Sequence, residues 1–348
     1  MSNPNRIPEG SPEGGQFARG GAKPEPSGMS LDEGIEPSVE DGYYGALADR
    51  DERIERMKTD LHDSVMQVVN SSAWRDYLDA RRLNRANSWS MSNRLLAARQ
   101  LAMRDGDDSL TGVLDRIGRL DCGSFKQWKA RGRSPVKGSK ALYIMAPVTR
   151  TITDEDPKKP GTERKRVIMV GVKPMATFDV SQTDGEPVPS HPGQPFTGQV
   201  SEGTVEGIRN RFTELGYDYS ESEIPGTDPV KLTGTLAYVR PDTKQVVVDS
   251  RLSDTEKSAA LAHELGHIEL GHVDSEPGEY TKHRGRMETE AESFAYMMLR
   301  ERGASPDESE AFSPSYIAGW SGGDSKTITG AMDAAGKAFD SSAKAIWG

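Results

Sequence analysis

The chain has 348 residues, 54 acidic against 44 basic side chains and a net charge of −10, a balance that excludes a generic polyanion binder. Any contact with nucleic acid has to come from a local basic patch. The single cysteine, Cys122, excludes an internal disulfide and a cysteine-ligated zinc knuckle, and fits a reducing compartment.

The length favours two compact domains with tails. The N-terminus lacks the layout of a signal peptide, and no run approaches the roughly 20 apolar residues of a membrane span, so a soluble, cytoplasmic protein is expected. Residues 1–48 are dominated by Gly, Pro, Ser and Glu, as in Pro8-Glu-Gly-Ser-Pro-Glu-Gly-Gly15. That composition cannot bury enough apolar surface to offset ordering, which predicts a disordered tail.

A helical pattern begins near Asp51, with Ile54, Met57, Leu61, Val65 and Val68 at three- and four-residue steps. Further helices are expected over 74–83 and 90–103, then a short helical turn at Phe125-Lys-Gln-Trp-Lys-Ala130. Strands are expected over 141–148, 167–172 and 176–180, around a polar hairpin tip at 154–165. Residues 181–200 are rich in Pro, Gly, Ser and Thr, a linker composition. A helix over 205–215 opens the second half. The strands 236–240 and 245–249 read as a hairpin, and the second has the pattern to hold an extended peptide by backbone pairing.

Ser253-Asp-Thr-Glu256 is a capping box that starts a helix running to Leu270. Within it lies His263-Glu-Leu-Gly-His267, the H-E-x-x-H pattern. Four-residue spacing puts both imidazoles on one helical face, able to bite one zinc ion, with Glu264 beside the open position as general base. A catalytic zinc needs a third protein ligand. In the helix Met287-Glu-Thr-Glu-Ala-Glu-Ser-Phe-Ala-Tyr-Met-Met298, the apolar face is Met287, Ala291, Phe294, Ala295 and Met298. Glu290 falls on the edge of that face, where a carboxylate is costly unless paired or metal-bound, and is the expected third ligand. Glu288 and Glu292 read as a solvated face. His272 follows His267 by five residues rather than six and reads as a helix-end or supporting histidine. His283 falls in a stretch, 280–286, expected to be a polar loop. Tyr296 and Tyr316 are candidates for stabilising a transition state.

No acidic residue occurs between Cys122 and Thr153, whereas Lys126, Lys129, Arg131, Arg133, Lys137, Lys140 and Arg150 do. Trp128 and Phe125 lie among these cations, and Trp89 follows Arg81, Arg82 and Arg85. Cations that track phosphates and aromatic faces that stack bases suit single-stranded nucleic acid. The same aromatics also suit core anchors beneath a solvated basic face.

The run 252–298 resembles the ImmA/IrrE-type metallopeptidases. The residues that carry this are His263-Glu-Leu-Gly-His267 and Glu288-Thr-Glu-Ala-Glu-Ser-Phe-Ala295, after a hairpin ending in Val246-Val-Val-Asp249. The family's pattern usually has Asn where this chain has Glu292. The first domain resembles the N-terminal single-stranded-DNA-binding domain of ArdC-type antirestriction proteins. This rests on Trp74-Arg-Asp-Tyr-Leu78, Asn87-Ser-Trp-Ser-Met-Ser-Asn-Arg94, Phe125-Lys-Gln-Trp128, Gly132-Arg-Ser-Pro-Val-Lys-Gly-Ser-Lys-Ala-Leu142 and Phe178-Asp-Val-Ser-Gln-Thr183.

The expectation is an α+β protein. A mixed helix/sheet DNA-binding domain over 52–182 and a linker over 183–202 precede a zincin-like metallopeptidase domain over 203–322, with a terminal tail or helix over 323–348. Zinc would be held by His263, His267 and Glu290, with Glu264 catalytic and a protein or peptide as substrate. Trp89, Lys126, Trp128, Lys129, Arg131, Arg133, Lys137 and Lys140 would meet single-stranded DNA. The resemblances imply an antirestriction or accessory protein of a mobile element. Two alternatives stay open: a non-catalytic DNA-binding protein with a structural zinc fold, and a regulator-cleaving protease without DNA binding.

Overall fold

The structure, a computed structural model, describes residues 44, 47, 49–84, 89–155, 161–188, 199–276, 278–305 and 313–348. The tail expected over 1–48 and residues 189–198 of the expected linker fall almost wholly outside them. The fold is mixed α+β, and the chain divides into two compact units. One comprises residues 1–62, 92–108 and 120–188, the other 63–91, 109–119 and 189–348. Two segments expected within a continuous first domain, 63–91 and 109–119, thus group with the second unit.

The first unit is organised on a long hairpin. Strands β3 (Leu142–Glu155) and β4 (Glu163–Asp179) pair antiparallel from Leu142↔Thr177 to Glu155↔Glu163, with a bulge between Val148 and Thr149. The two strands expected over 167–172 and 176–180 are one. Strand β1 (Cys122–Gly123) pairs with the other edge of β4, and β2 (Arg133–Pro135) pairs with β5 (Thr183–Gly185). The outer edge of β3 is closed by side-chain amides from helix α3 (Met91–Arg104). Asn93 brackets the backbone N–H and C=O of Met145, each at 3.0 Å, and Gln100 does the same for Tyr143 at 2.9 Å. These contacts satisfy ladder groups that an edge strand otherwise exposes. Met57, from the first half of helix α1 (Arg50–Val69), packs with Leu96, Tyr143 and Tyr44. Helix α5 (Phe125–Ala130) starts at a Ser124/Gln127 capping box and buries Trp128 against Ala141 and Phe178.

In the second unit, β8 (Gln245–Asp249) is the central strand, parallel to β6 (Asp218–Ser222) and antiparallel to β7 (Ala237–Arg240). Both edges of β8 are therefore occupied, and the backbone pairing expected of it is not open to a peptide; β6 and β7 are the sheet edges. Helix α6 (Thr204–Glu214) packs on α7 (Asp254–Glu269), which packs on α8 (Glu279–Glu301). Because α8 starts at Glu279, the stretch 280–286 expected as a loop is helical. Helices α2 (Ala73–Leu83), α9 (Pro314–Ser321) and α10 (Ser325–Trp347) also contact α8, and α4 (Leu110–Arg119) packs on α2. Paired charges lock these contacts: the buried Arg300 guanidinium donates to Asp79 at 2.8 Å, and Arg81 to Asp340 at 3.0 Å. Fully buried side chains such as Phe212, Phe294 and Phe339 form the core, each contributing roughly 1.5–3 kcal/mol. No helix among the described residues is long and apolar enough to cross a membrane.

Candidate metal centre

Helix α7 begins where Ser253 accepts from the Glu256 N–H and the Glu256 carboxylate accepts from the Ser253 N–H at 2.7 Å. From that start, nine and thirteen residues on, His263 and His267 emerge on the face toward α8. Their Nε2 atoms lie 3.1 Å apart. From α8, Glu288 brings Oε2 to 3.3 Å from His263 Nε2 and Oε1 to 3.9 Å from His267 Nε2. Among the described residues, these three offer donor atoms within 4.8 Å of one another. Two imidazole nitrogens and a carboxylate oxygen converging in this way are a donor set that fits one divalent cation.

The electrostatics agree with that fit. Burial alone would lower the His263 imidazole, but hydrogen bonds to Glu288 and Glu292 outweigh it and carry it up to about 10. Burial and the neighbouring His263 charge hold His267 below its ordinary value. A neutral His267 beside the two carboxylate-bonded nitrogens of His263 leaves an imidazole lone pair available as a donor. Glu264 is pushed up to about 7, first by burial and then by the Glu288 carboxylate, against the pull of His263 and of the Val239 N–H on β7. A carboxylate with that affinity exchanges a proton near neutral pH.

Each ligand candidate is braced from behind. His263 Nδ1 lies 3.0 Å from Glu292 Oε2, and the Tyr280 hydroxyl donates to Glu288. Glu290, the carboxylate expected to complete the set, is not brought to the two imidazoles. It is buried behind them, 2.8 Å from His272 Nε2. The face of α8 opposite its apolar stripe is expected to meet solvent, yet this helix is enclosed by α2, α7, α9 and α10. Its polar stripe, Glu288 and Glu292, therefore faces α7. Sequence reading missed Glu288, Glu292 and Tyr280; the available signal was the i, i+4 spacing of the two glutamates opposite a helix bearing two histidines. Of the tyrosine candidates, Tyr296 is buried with its hydroxyl 3.1 Å from Asp79.

A cleft of about 510 Å³ opens beside His263 and Glu264, walled by Leu236, Ala237, Ala259, Ala260, Ala295 and Leu299.

The residues expected to meet DNA are scattered in role. Lys126, Lys129, Lys137 and Lys140 are exposed. Trp128 is not a stacking platform: it is fully buried, its indole N–H donates to the Phe178 carbonyl at 2.8 Å, and a base has no access to it. Arg131 pairs with Asp121 at 2.8 Å and lies over the Trp128 ring. Arg133 donates to the Thr183 and Gly185 carbonyls, tying β2 to β5. Trp89 is half-buried and groups with the second unit.

Known proteins resemble this chain at three levels. An uncharacterized protein of Bacillus anthracis, pXO2-81, is 27% identical over 227 residues, covering 57% of this chain; the match spans only 37% of that relative's length. Two crystal structures of the antirestriction protein ArdC from the R388 plasmid also match. The metal-free one gives a TM-score of 0.40 and 22% identity over 65% of this chain and 77% of its own. The Mn(II)-bound one gives 0.41 and 21% over 72% and 91%. Residues 228–303, which hold β7, β8, α7, both histidines and Glu288, match the family of IrrE N-terminal-like domains.

Proposed function

We propose that the second unit is a divalent-metal-dependent peptidase and that the first unit binds single-stranded DNA. The observation that carries the peptidase reading is the convergence of His263, His267 and Glu288 within 4.8 Å, beside a glutamate whose proton affinity lies near neutrality. His263, His267 and Glu288 would hold a divalent ion, zinc by the nature of the donors, which would supply Lewis acidity toward water and toward a scissile carbonyl. Glu264 takes the proton that water loses and returns it to the leaving amine. The Tyr280 hydroxyl donates to Glu288 and holds it. The alanine- and leucine-lined cleft beside Glu264 takes substrate side chains and excludes water from the reacting bond.

Glu264→Gln separates catalysis from binding, because the amide keeps the shape and loses the proton acceptor. The variant should retain zinc and lower cleavage of a proteome-derived peptide library by about 100-fold or more. Equal cleavage by the variant, or none by the wild type, would remove the peptidase reading.

The DNA reading is supported by Lys126, Lys129, Lys137 and Lys140, exposed on an acid-free stretch of an acidic chain. Together with the motif resemblances, it makes an antirestriction accessory protein of a mobile element the proposed role. Serine at all four lysines should weaken binding of the full chain to a single strand. It should also make the fall of affinity with salt shallower, because fewer counterions are released. Unchanged affinity and slope would take these lysines out of the DNA interface, and a wild type that binds no single strand at low salt would leave a protease without DNA binding.

A further inference from the structure

The histidine and glutamate buried behind the metal centre have no part in the scheme above. His272 is 5% exposed and Glu290 8%. We propose that they form a two-step hydrogen-bond relay, Glu290 to His272 to His267, that fixes the tautomer of His267 and aims its Nε2 lone pair at the metal. This rests on the metal-centre reading.

The geometry sets each direction. Glu290 Oε2 lies 2.8 Å from His272 Nε2, and a carboxylate only accepts, so His272 Nε2 carries the hydrogen. The other nitrogen of a neutral imidazole is then an acceptor. His272 Nδ1 lies 3.0 Å from His267 Nδ1, so the hydrogen in that contact belongs to His267 Nδ1. His267 Nε2 is left with its lone pair, and it points to His263 Nε2 and Glu288. Arg286, 3.7 Å from the other Glu290 oxygen, offsets the charge of the buried carboxylate.

The local backbone is built for this contact. Gly271 ends α7 in the left-handed region, φ 73°, and the 3-10 turn that follows folds His272 back beneath His267. The two ligand imidazoles are thus braced by different routes: His263 by Glu292 directly, His267 through a second imidazole. A ligating histidine whose far nitrogen is fixed loses less freedom on binding metal and is more basic toward it.

The test uses full-length protein and zinc alone as the probe, with affinity read by competition against a chromophoric chelator. His272→Phe and Glu290→Leu should each weaken zinc by about 10–100-fold. The double variant should be no weaker than His272→Phe alone, because the two residues act in series. His272→Gln, which keeps an acceptor and a donor, should recover most of the loss, and Glu290→Gln, which keeps the acceptor, should be mild. Additive losses, or a Glu290→Leu loss as complete as that of His267→Ala, would overturn the relay, the latter by making Glu290 a ligand.

Imidazole nitrogen NMR on histidine-labelled protein without added metal reads the tautomers directly, and only six histidines need assigning. His272 should carry its hydrogen on Nε2 and His267 on Nδ1; the reverse at His267 would overturn the relay even if His272→Phe fails to fold. Wild-type protein that does not bind zinc but shows these tautomers would sink the metal-centre reading and leave the relay standing.

Discussion

At the scale of single residues, burial combined with one partner decides what each charged group does. At Glu264 burial and the Glu288 carboxylate outweigh the pull of the His263 charge and the Val239 N–H, and its carboxyl rises to about 7. Asp249, fully buried at the end of β8, goes the other way. It accepts from the Ile224 N–H at 2.9 Å, the Arg251 N–H at 3.0 Å and the Arg251 guanidinium at 2.7 Å. The Arg251 hydrogen bonds, then those two backbone donors, hold its carboxyl far below the usual range. A carboxyl depressed in the folded state gives stability that is present above its unfolded pKa, about 3.9, and is lost as pH falls toward the folded value. Asp249→Asn should therefore be less stable than wild type at pH 7, and the gap should shrink progressively below about pH 4. Urea unfolding from pH 7 to pH 3 measures this, and a gap constant with pH would show that shape, not charge, is what Asp249 supplies.

At the scale of elements, the metal centre depends on how closely α7 and α8 approach. A Cβ on Gly266 would sit 3.0 Å from the Ala291 carbonyl oxygen and 3.1 Å from its Cα, backbone that cannot turn aside. In an open helix, Gly→Ala would stabilise by about 1 kcal/mol through propensity. Here overpacking should win: Gly266→Ala should lower stability by about 1–3 kcal/mol and weaken zinc binding, because Glu288 rides on the displaced helix. Increased stability with unchanged affinity would mean that the helices have slack. The H-E-x-x-H pair and its capping box were legible because helix start, face and spacing are local properties of 253–267. Glu288 was not, because its orientation depends on four helices packed around α8. Trp128 was ambiguous for a related reason: a tryptophan among lysines looks the same whether it stacks on a base or anchors a core, and only the Phe178 carbonyl decides. Helix α4 was overlooked although Leu110, Val113, Leu114 and Ile117 carry its apolar spacing. The inside position of β8 was out of reach, since its parallel partner β6 lies more than twenty residues away.

At the scale of the whole molecule, chain order and spatial grouping differ. Helices α2 and α4 precede the hairpin of the first unit in sequence but belong to the second, where Asp79 on α2 holds Arg300 of α8. The Pro- and Gly-rich composition over 183–202 carries no trace of this interleaving, which is supported by ion pairs more than 200 residues apart in sequence. The peptidase reading of the second unit depends on the identity of the third ligand. Titration of full-length protein with zinc, wild type beside Glu288→Ala, tests that claim most directly. The wild type should bind about one ion per chain, and Glu288→Ala should lose tight binding while staying folded. A Glu288→Ala variant that binds zinc as tightly as wild type would contradict the account.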